Sequence, residues 1–488
     1  MAESPVSQET EARLLDCLAH HPGVERAAVT SWVDQDGASQ PIAYVVPAAA
    51  GTPAAAMSEG HLDRWENLWS MLYRQDDAPD PEFDIRGWNS SYTRKPLPAE
   101  EMRDWVDETV RTIEDLGAES ILEIGCGSGL LLHRLVPRCR RYVATDFSAA
   151  AVERLQRQVR DGALPDFVEA RQVPAHSLGD IPGDFDLVIV NSVIQYFPTA
   201  AYLDDVIEQA VTLTRPGGGV FVGDVYHLAL REAMQTSIVV EQAAPDAPTE
   251  VLRSRVLHRI ASQTELLIDP AYFAQLVART AGLSGVRALP KFGAYDNEMT
   301  RFRYDAVLEV GGDAGSPVDV PWHDWQSEGL DAGSLQALLA GDGDGFGVSR
   351  IPNSRVTPWL RRWSELNGGM PGEDGEAMSP EDLRATTAGS SYRLHLSCLS
   401  SRPDTSIDAA WLPATGSDAR PRFPQPASTS AAVSSNDPLW ARATEGLVRE
   451  LRRHLRDALG QTGPMTLVCV DEIPPTPDPI PDSLEATA

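Results

Sequence analysis

The sequence predicts a doubly wound α/β fold, and three observations predict it. Apolar runs of strand length alternate with helical runs between Ser120 and Val310, which argues for a mostly parallel sheet of about seven strands. The stretch Glu119–Asp146, ESILEIGCGSGLLLHRLVPRCRRYVATD, reads as strand, glycine loop, helix, strand and acid. Asp146 follows the loop by about 20 residues, at the carboxyl end of the second strand, where an acid accepts hydrogen bonds from two ribose hydroxyls.

Taken in order, Ser120–Ile124 is the strand that enters the loop. Gly125, Gly127 and Gly129 allow a sharp turn at its end and leave bare backbone for a ligand to lie on. A helical run begins at Leu130, and Arg141–Thr145 is the second strand. The spacing GxGxG is not the GxGxxG of nicotinamide enzymes, and the GK[ST] ending of a phosphate loop is missing. Beyond Asp146 come a helix at Ala149–Val159, strands at Phe167–Arg171 and Phe185–Asn191, and a helix at Tyr202–Leu213. Residues 215–219, RPGGG, read as a turn before the strand Val220–Asp224. Residues 234–267 read as helical, Ala271–Thr280 as a helix, and Val286–Pro290 and Phe302–Val310 as the closing strands, the last antiparallel at the sheet edge.

Upstream, Glu9–Ala19 is helix-like and Val24–Trp32 and Pro41–Val46 are strands. Between His61 and Arg74, Leu62, Trp65, Leu68, Trp69 and Leu72 share one helical face. Phe83, Trp88 and Tyr92 either pack together or form a lid over a ligand. Ala99–Leu116 is a long helix leading into the central strand. Downstream, a small α/β accessory unit carries strands at Phe346–Ile351, Tyr392–Leu399 and Ala409–Leu412 and a helix at Val356–Leu366. A Pro/Ser/Ala/Thr-rich linker precedes a helix at Trp440–Leu459 and a strand at Met465–Val470. The expected units are 1–57, 58–315, 316–415, a linker 416–438, and 439–488.

Net charge is −30, which biases against nucleic-acid partners, and no run of 18 apolar residues marks a membrane span. The five cysteines lack metal-ligand spacing, and the amino terminus lacks a basic start with an apolar block. No metal, no nucleic acid and no membrane are expected, and the cytoplasm is the expected compartment.

The loop E-x-G-x-G-x-G resembles the first motif of class I S-adenosylmethionine-dependent methyltransferases. NSVIQYFP at 191–198, GDVYH at 223–227, NEMTRFRYDAVL at 297–308, RGWNSSY at 86–92 and IPNSRV at 351–356 resemble the N-methyltransferase domains that interrupt adenylation domains of nonribosomal peptide synthetases. HHPGVERAAV and PIAYVVP, within residues 9–47, are similar to the adenylation segment before such an insertion, and residues 447–484 to the segment after it. Adenylation domains end in TPNGKVD, whose lysine contacts the acyl-adenylate. Here TPDPIPD places Ile480 there, and with no large adenylation subdomain present, no adenylation activity is expected.

The resemblance implies a class I, Rossmann-like, seven-stranded core binding S-adenosyl-L-methionine. It implies cofactor contacts from Trp88, Tyr92, Glu123, Gly125, Cys126, Gly127, Gly129, Asp146, Phe147, Ala175, His176, Asn191 and Ser192. The segment Ala175-His176-Ser177-Leu178 lacks the acidic pair that the family often places near the adenine. It implies substrate contacts from Gln195, Tyr226, Asn297 and Arg301.

Methyl transfer from a sulfonium is an in-line displacement, so alignment and exclusion of water are required, and an amine must shed a proton. Asn191 ends the fourth strand, where substrate and methyl group meet in this class. Tyr196 either turns its hydroxyl to the amine or forms a core aromatic pair with Phe197. Asp224 or His227 takes the proton, and Glu298 either holds an ammonium or acts as base. Arg301 and Arg303 would point the same way on a strand and would form internal salt bridges. The expected protein is a free-standing N-methyltransferase acting on an aminoacyl or peptidyl thioester of a synthetase carrier protein. O- or C-methylation, or a free amino acid as acceptor, is one alternative, and a non-catalytic docking protein is another.

Overall fold

The computed structural model describes residues 8–33, 39–48, 54–74, 80–312, 317–341, 343–370, 375–414, 419–425, 434–459, 466–469 and 473. It contains two compact units, one of residues 1–61, 243–265 and 436–488, the other of residues 62–242 and 266–435. In chain order the elements are α1 (Gln8–Ala19), β1 (Val24–Val33), β2 (Ser39–Pro47), α2 (Ala54–Tyr73), α3 (Ala99–Glu114), β3 (Ser120–Ile124) and α4 (Leu132–Leu135). Next come β4 (Arg141–Asp146), α5 (Ala149–Arg160), β5 (Val168–Gln172), β6 (Phe185–Asn191), α6 (Ala200–Leu213) and β7 (Thr214–Tyr226). They are followed by α7 (Arg231–Glu241), α8 (Thr249–Ala261), α9 (Pro270–Arg279), β8 (Leu283–Pro290), α10 (Glu298–Arg301), β9 (Arg303–Val310) and β10 (Trp322–Asp324). The last are α11 (Ala332–Leu339), β11 (Phe346–Ile351), α12 (Thr357–Leu366), α13 (Pro380–Thr387), β12 (Tyr392–Ser397), β13 (Ile407–Pro413), α14 (Pro438–Leu459) and β14 (Thr466–Cys469).

The larger unit is built on a seven-stranded sheet in the order β5-β4-β3-β6-β7-β9-β8. Pairs from β5 to β7 are parallel, and β9 runs antiparallel to both neighbours. This order and polarity are those of the class I methyltransferase fold. The closing strand therefore lies inside the sheet rather than at its edge, which corrects the sequence expectation. β9 is buried along nearly all its length, as a strand covered on both faces must be, whereas β8 alternates into partial exposure and takes the edge. Two apolar clusters cover the two faces. One contains Val188, Val190, Val220, Val222 and helix residues Leu203 and Ile207. The other contains Ile121, Tyr142, Ile189, Phe221 and α3 residues Met102, Trp105 and Val106.

Two local expectations also change. The turn read at 215–219 lies within β7, where a register shift against β6 between Phe185 and Leu187 absorbs the irregularity. The helix read from Leu130 is a single turn, α4, followed by a 3₁₀ turn at Val136–Arg138, because Pro137 cannot continue the hydrogen-bond ladder.

The accessory sheet, β10-β11-β13-β12, belongs to the same compact unit. It has its own core, in which Trp411 stacks on Phe346 at 5.0 Å. The Cys398 N–H donates to the Ala288 carbonyl of β8 at 3.0 Å, and Phe292 packs against the accessory core. Continuous packing and hydrogen bonding thus join a segment that the sequence suggested as separate.

The smaller unit folds α1 and α14 against a three-stranded sheet, β1-β2-β14. β14 pairs in parallel with β2, so α1, β1 and β2 fold together with α14 and β14 although some 400 residues separate the two groups in the chain. Helix α8 belongs to this unit, not to the core in which the sequence placed it. Ile480 lies outside the described residues. Leu451 of α14 is fully buried in this cluster with Leu14, Leu18 and Ala43. Leu451→Ala is expected to cost the smaller unit about 2–5 kcal/mol. In denaturant titration the transition of that unit should move, and that of the methyltransferase-type sheet should not.

Candidate active site

The glycine loop closes directly onto β4. The Gly125 and Cys126 N–H groups donate to the Thr145 carbonyl at 2.7 and 3.0 Å. Gly125 (φ 73°) and Gly127 (φ 54°) adopt the left-handed backbone that favours glycine. Both are also tightly approached: a Cβ on Gly125 would meet Val193 at 2.4 Å, and one on Gly127 would meet the Tyr73 hydroxyl at 2.7 Å. The Gly127 N–H donates to Asp146 Oδ2 at 2.9 Å and the Ser148 N–H to Oδ1 at 2.8 Å. Burial nevertheless pushes the Asp146 carboxyl up to about 6, the two backbone donors only partly offsetting it. Each oxygen keeps a lone pair for a further donor. The loop's far side is tied down as well: Ser128 Oγ donates to the Asp84 carbonyl at 2.8 Å, and the Asp84 carboxylate binds Arg86 and Arg154.

Glu123, on β3 two residues before Gly125, is buried and accepts from Tyr142 Oη at 2.7 Å. Burial, joined by the neighbouring Asp146, pushes its carboxyl up to about 8 despite that bond.

The cover over the loop comes from α2. Trp65 and Trp69 pack on Tyr196 with ring centroids 4.5 and 5.8 Å away, and Tyr73 stacks on Trp69. Ser70 Oγ bonds Ser148 Oγ at 3.2 Å, next to Asp146. The apolar stripe read between His61 and Arg74 therefore packs over this region, where the sequence offered Trp88 and Tyr92 as a lid. Trp88 instead packs on Trp105 at 4.9 Å, and Tyr92 bonds Ser237 Oγ at 3.1 Å. Tyr73, which reaches the glycine loop, was missed. Its signal was its place at the end of that same stripe. Of the other cofactor-side expectations, the Phe147 carbonyl accepts from Gln172, and Ala175 packs on the core. His176 is exposed and shares a hydrogen bond with Tyr202 Oη at 2.6 Å.

At the carboxyl ends of β6 and β7 stands a buried ionic network. Asp224 is fully buried and accepts from Trp105 Nε1 at 3.2 Å, from Ser192 Oγ and from Arg303. Lys291 Nζ lies 4.0 Å from Asp224 and bonds both oxygens of Asp305 at 2.9 and 3.1 Å. Asp305 in turn accepts the Asp224 N–H at 2.8 Å. Burial would push the Asp224 carboxyl up, but Arg303 and Lys291 outweigh it and hold the group below the ordinary carboxylate range. Ser192 (φ 54°) and Asp224 (φ 64°) both take left-handed backbone, a strain that clusters at working sites.

This arrangement removes Asp224 and His227 from the candidate bases. Asp224 is held ionised with both oxygens occupied. His227 is buried, which pushes its ring down to about 4, and its Nδ1 accepts the Ala229 N–H at 3.2 Å as a helix cap. Glu298 accepts from the Ser91 N–H and Oγ at 2.8 and 2.6 Å. Asn297 caps α10 and donates to Glu101. Arg301 ends α10 rather than lying on a strand with Arg303, and it pairs with Asp296. Arg303, on β9, pairs with Asp224 and bonds Tyr226 Oη at 2.8 Å, so both arginines form internal salt bridges. Several buried polar atoms, Arg303 Nε among them, have no partner among the described residues, and two of them lie at the carboxyl end of β6 and just beyond it. Asn191 Oδ1 and Gln195 Oε1 are buried and have no hydrogen-bond partner among the described residues. The Gln195 amide is oriented by its Nε2, which donates to the Ser192 carbonyl at 2.9 Å.

The donor set fits an adenosyl ligand: a carboxylate with free lone pairs after the second strand, Cβ-free backbone beside it, and unmatched acceptors at the end of β6. Fold and site together define a class I methyltransferase, the class that uses S-adenosylmethionine. Residues 122–220 match a family model described as a methyltransferase domain. Chondramide synthase cmdD of Chondromyces crocatus is 37% identical over 474 residues, covering 91% of this chain and 12% of that protein. The probable non-canonical nonribosomal peptide synthetase CymA of Salinispora arenicola is 35% identical over 464 residues, covering 94% of this chain and 6% of that protein. The chain thus carries a methyltransferase domain and is similar over most of its length to segments of nonribosomal peptide synthetases, and it spans only a small part of the relatives it matches. The N-methyltransferase NodS of Bradyrhizobium japonicum, solved with S-adenosyl-L-homocysteine, is 15% identical and covers 51% of this chain and 98% of its own, with a TM-score of 0.31. Among the described residues no helix is long and apolar enough to cross a membrane.

The raised Glu123 carboxyl has a consequence for stability. In the folded chain it keeps its proton up to about 8, whereas unfolding releases it to its ordinary value of 4.5. Its contribution is full below the lower value and is lost as pH rises through the upper one. Glu123→Gln, which stays neutral, should melt at a higher temperature than the wild type at about pH 8. The difference should vanish as the pH approaches the ordinary glutamate range. Melting curves across this range check it.

Proposed function

We propose that this chain N-methylates the amine of an aminoacyl or peptidyl group held as a thioester on a synthetase carrier protein. The observation that carries the reading is the pair of unmatched amide oxygens, Asn191 Oδ1 and Gln195 Oε1, at the carboxyl end of β6. Buried acceptors without donors are costly, and an amine offers the N–H groups they lack. A hydroxyl offers one such donor and a carbanionic carbon none, so the pair favours nitrogen. The tethered substrate is supported by the synthetase relatives and by the adenylation-like segments that flank the domain.

In this reading the Gly125–Gly129 backbone and Asp146 hold the cofactor's nucleoside, Asp146 accepting from the ribose hydroxyls. Bound S-adenosylmethionine supplies an electrophilic methyl group on a sulfonium. Asn191 and Gln195 orient the amine lone pair toward it. Trp65, Trp69 and Tyr196 exclude water from above. An α-amine has a pKa of about 7.7–8.0, so enough is neutral near pH 8 without a strong protein base, and its proton leaves to solvent. Positioning then carries the rate enhancement.

Three measurements test this. Calorimetric titration with S-adenosylmethionine should show binding to the wild type and a loss of about 100-fold or more in Asp146→Ala. Because Asp146 must be ionised to accept two donors and its carboxyl stands at about 6, affinity should also fall as pH drops below that value, by about tenfold per unit. Incubated with aminoacyl-loaded carrier protein, the enzyme should add one methyl mass, and fragmentation should place it on nitrogen. Methyl on oxygen or carbon would overturn the N-specific reading, and no binding at all would leave only a docking role. His227→Asn retains a cap acceptor and should leave the shape of the pH–rate profile unchanged.

A further inference from the structure

The motif IPNSRV has no role in the mechanism so far, yet its arginine is among the most buried charges in the protein. Arg355, at the start of α12 in the accessory unit, is 5% exposed. Its guanidinium donates to two main-chain carbonyls, those of Lys291 at 3.0 Å and Gly293 at 2.5 Å. Burial pushes its pKa down, and its acidic neighbours Asp296, Glu381, Asp382 and Asp104 do not reverse the shift. A guanidinium buried against carbonyls is a poor source of net stability, because such burial costs several kcal/mol that only well-paired charges return.

What it holds is the exit of β8. The same exit is fixed by Glu381, which accepts the Gly293 N–H at 2.8 Å, and by Asp104 of α3, which accepts the Ala294 N–H at 2.9 Å. Arg384 of α13 joins these two elements by binding both Glu381 and Glu108. The first residue of the exit is Lys291, whose ammonium bonds Asp305 and Thr109 and stands 4.0 Å from Asp224. Asp305 holds the Asp224 backbone, and Asp224 holds Ser192, the residue after Asn191. A chain of direct contacts therefore runs from Arg355 through Lys291, Asp305 and Asp224 to the end of β6.

We infer that Arg355 is a positioning residue for methyl transfer: it fixes the Lys291 main chain, and through the Asp305–Asp224 pair it fixes the acceptor end of β6. The accessory unit is then part of the catalytic apparatus rather than an appendage. The inference rests on the methyltransferase reading given above.

The test compares Arg355→Ala and Arg355→Lys with Arg350→Ala, a control whose side chain pairs with Asp324 within the accessory unit. Two lost hydrogen bonds from a charged group predict a fall of about 10- to 100-fold in kcat for Arg355→Ala. Cofactor Kd and carrier KM should stay near wild type, and added guanidinium ion should restore part of the rate. Lysine cannot span both carbonyls and should remain impaired. Hydrogen exchange gives a readout independent of activity. Segments 222–226 and 303–306 should exchange faster in Arg355→Ala and unchanged in the control. An Arg355→Ala enzyme with lowered melting temperature but wild-type kcat, or unchanged exchange in those segments, would overturn the inference. A wild type that neither binds cofactor nor methylates would defeat the functional reading instead, and the exchange comparison would still decide whether the contacts are coupled.

Discussion

Asp224 is the constraint on which the acceptor half of the molecule depends. A carboxylate with no exposed surface costs several kcal/mol unless donors and cations surround it, and here three donors and one nearby ammonium come from four separate segments. Trp105 arrives from α3, Ser192 from the loop after β6, Arg303 from β9 and Lys291 from the exit of β8. The four charges Asp224, Asp305, Arg303 and Lys291 sum to zero within a volume closed to solvent. Deleting any one member would leave an uncompensated buried charge, at a cost of about 3–5 kcal/mol. This gives a physical reason for the position of β9. Lying against β7, β9 brings Arg303 to the Asp224 carboxylate and Asp305 to the Asp224 N–H, so the antiparallel insertion and the ionic network support each other.

The cofactor half is organised by the opposite balance. Asp146 and Glu123 are both buried, but they receive neutral donors: backbone N–H groups for one, a tyrosine hydroxyl for the other. Burial wins in both cases and raises both carboxyls. A ligand that donates hydroxyls to Asp146 relieves the very cost that its burial imposes, whereas Glu123 remains a protonated structural acid. Tyr73 closes the same space from above, and its hydroxyl is pushed far up by burial and then by Asp146, so it stands as a neutral donor or acceptor over the glycine loop.

How much of this was legible in the sequence follows from the range of each interaction. The glycine loop, Asp146 and the strand Phe185–Asn191 are written in contiguous residues and were read with their boundaries within a residue or so. The aromatic stripe of α2 was read as one face of a helix, but its target was not, because nothing local says that Trp65 and Trp69 meet Tyr196. Lys291, Asp305, Trp105 and Arg355 were not singled out for the site, since each becomes meaningful only when distant segments are brought together. The strand order failed for the same reason: residues 302–310 look like a closing strand, and only burial on both faces reveals an internal one. His227 and Asp224 were attractive as bases because residue type and strand-end position suggested it. The partners that disqualify them come from residues far off in sequence or, for the helix cap, from backbone geometry.

In the proposed reading no dedicated base is required, so the chemistry is left to geometry. The strained residues Ser192 and Asp224 face each other across adjacent strand ends, and Arg303 and Lys291 hold the Asp224 carboxyl below the ordinary carboxylate range. Such a site can orient an amine but cannot deprotonate one strongly. An acceptor whose amine is already partly neutral at working pH suits it, and an α-amine next to a thioester carbonyl has that property, because the electron-withdrawing carbonyl lowers its basicity below that of a lysine side chain. The electrostatics of the buried network and the class of acceptor proposed for it therefore point the same way.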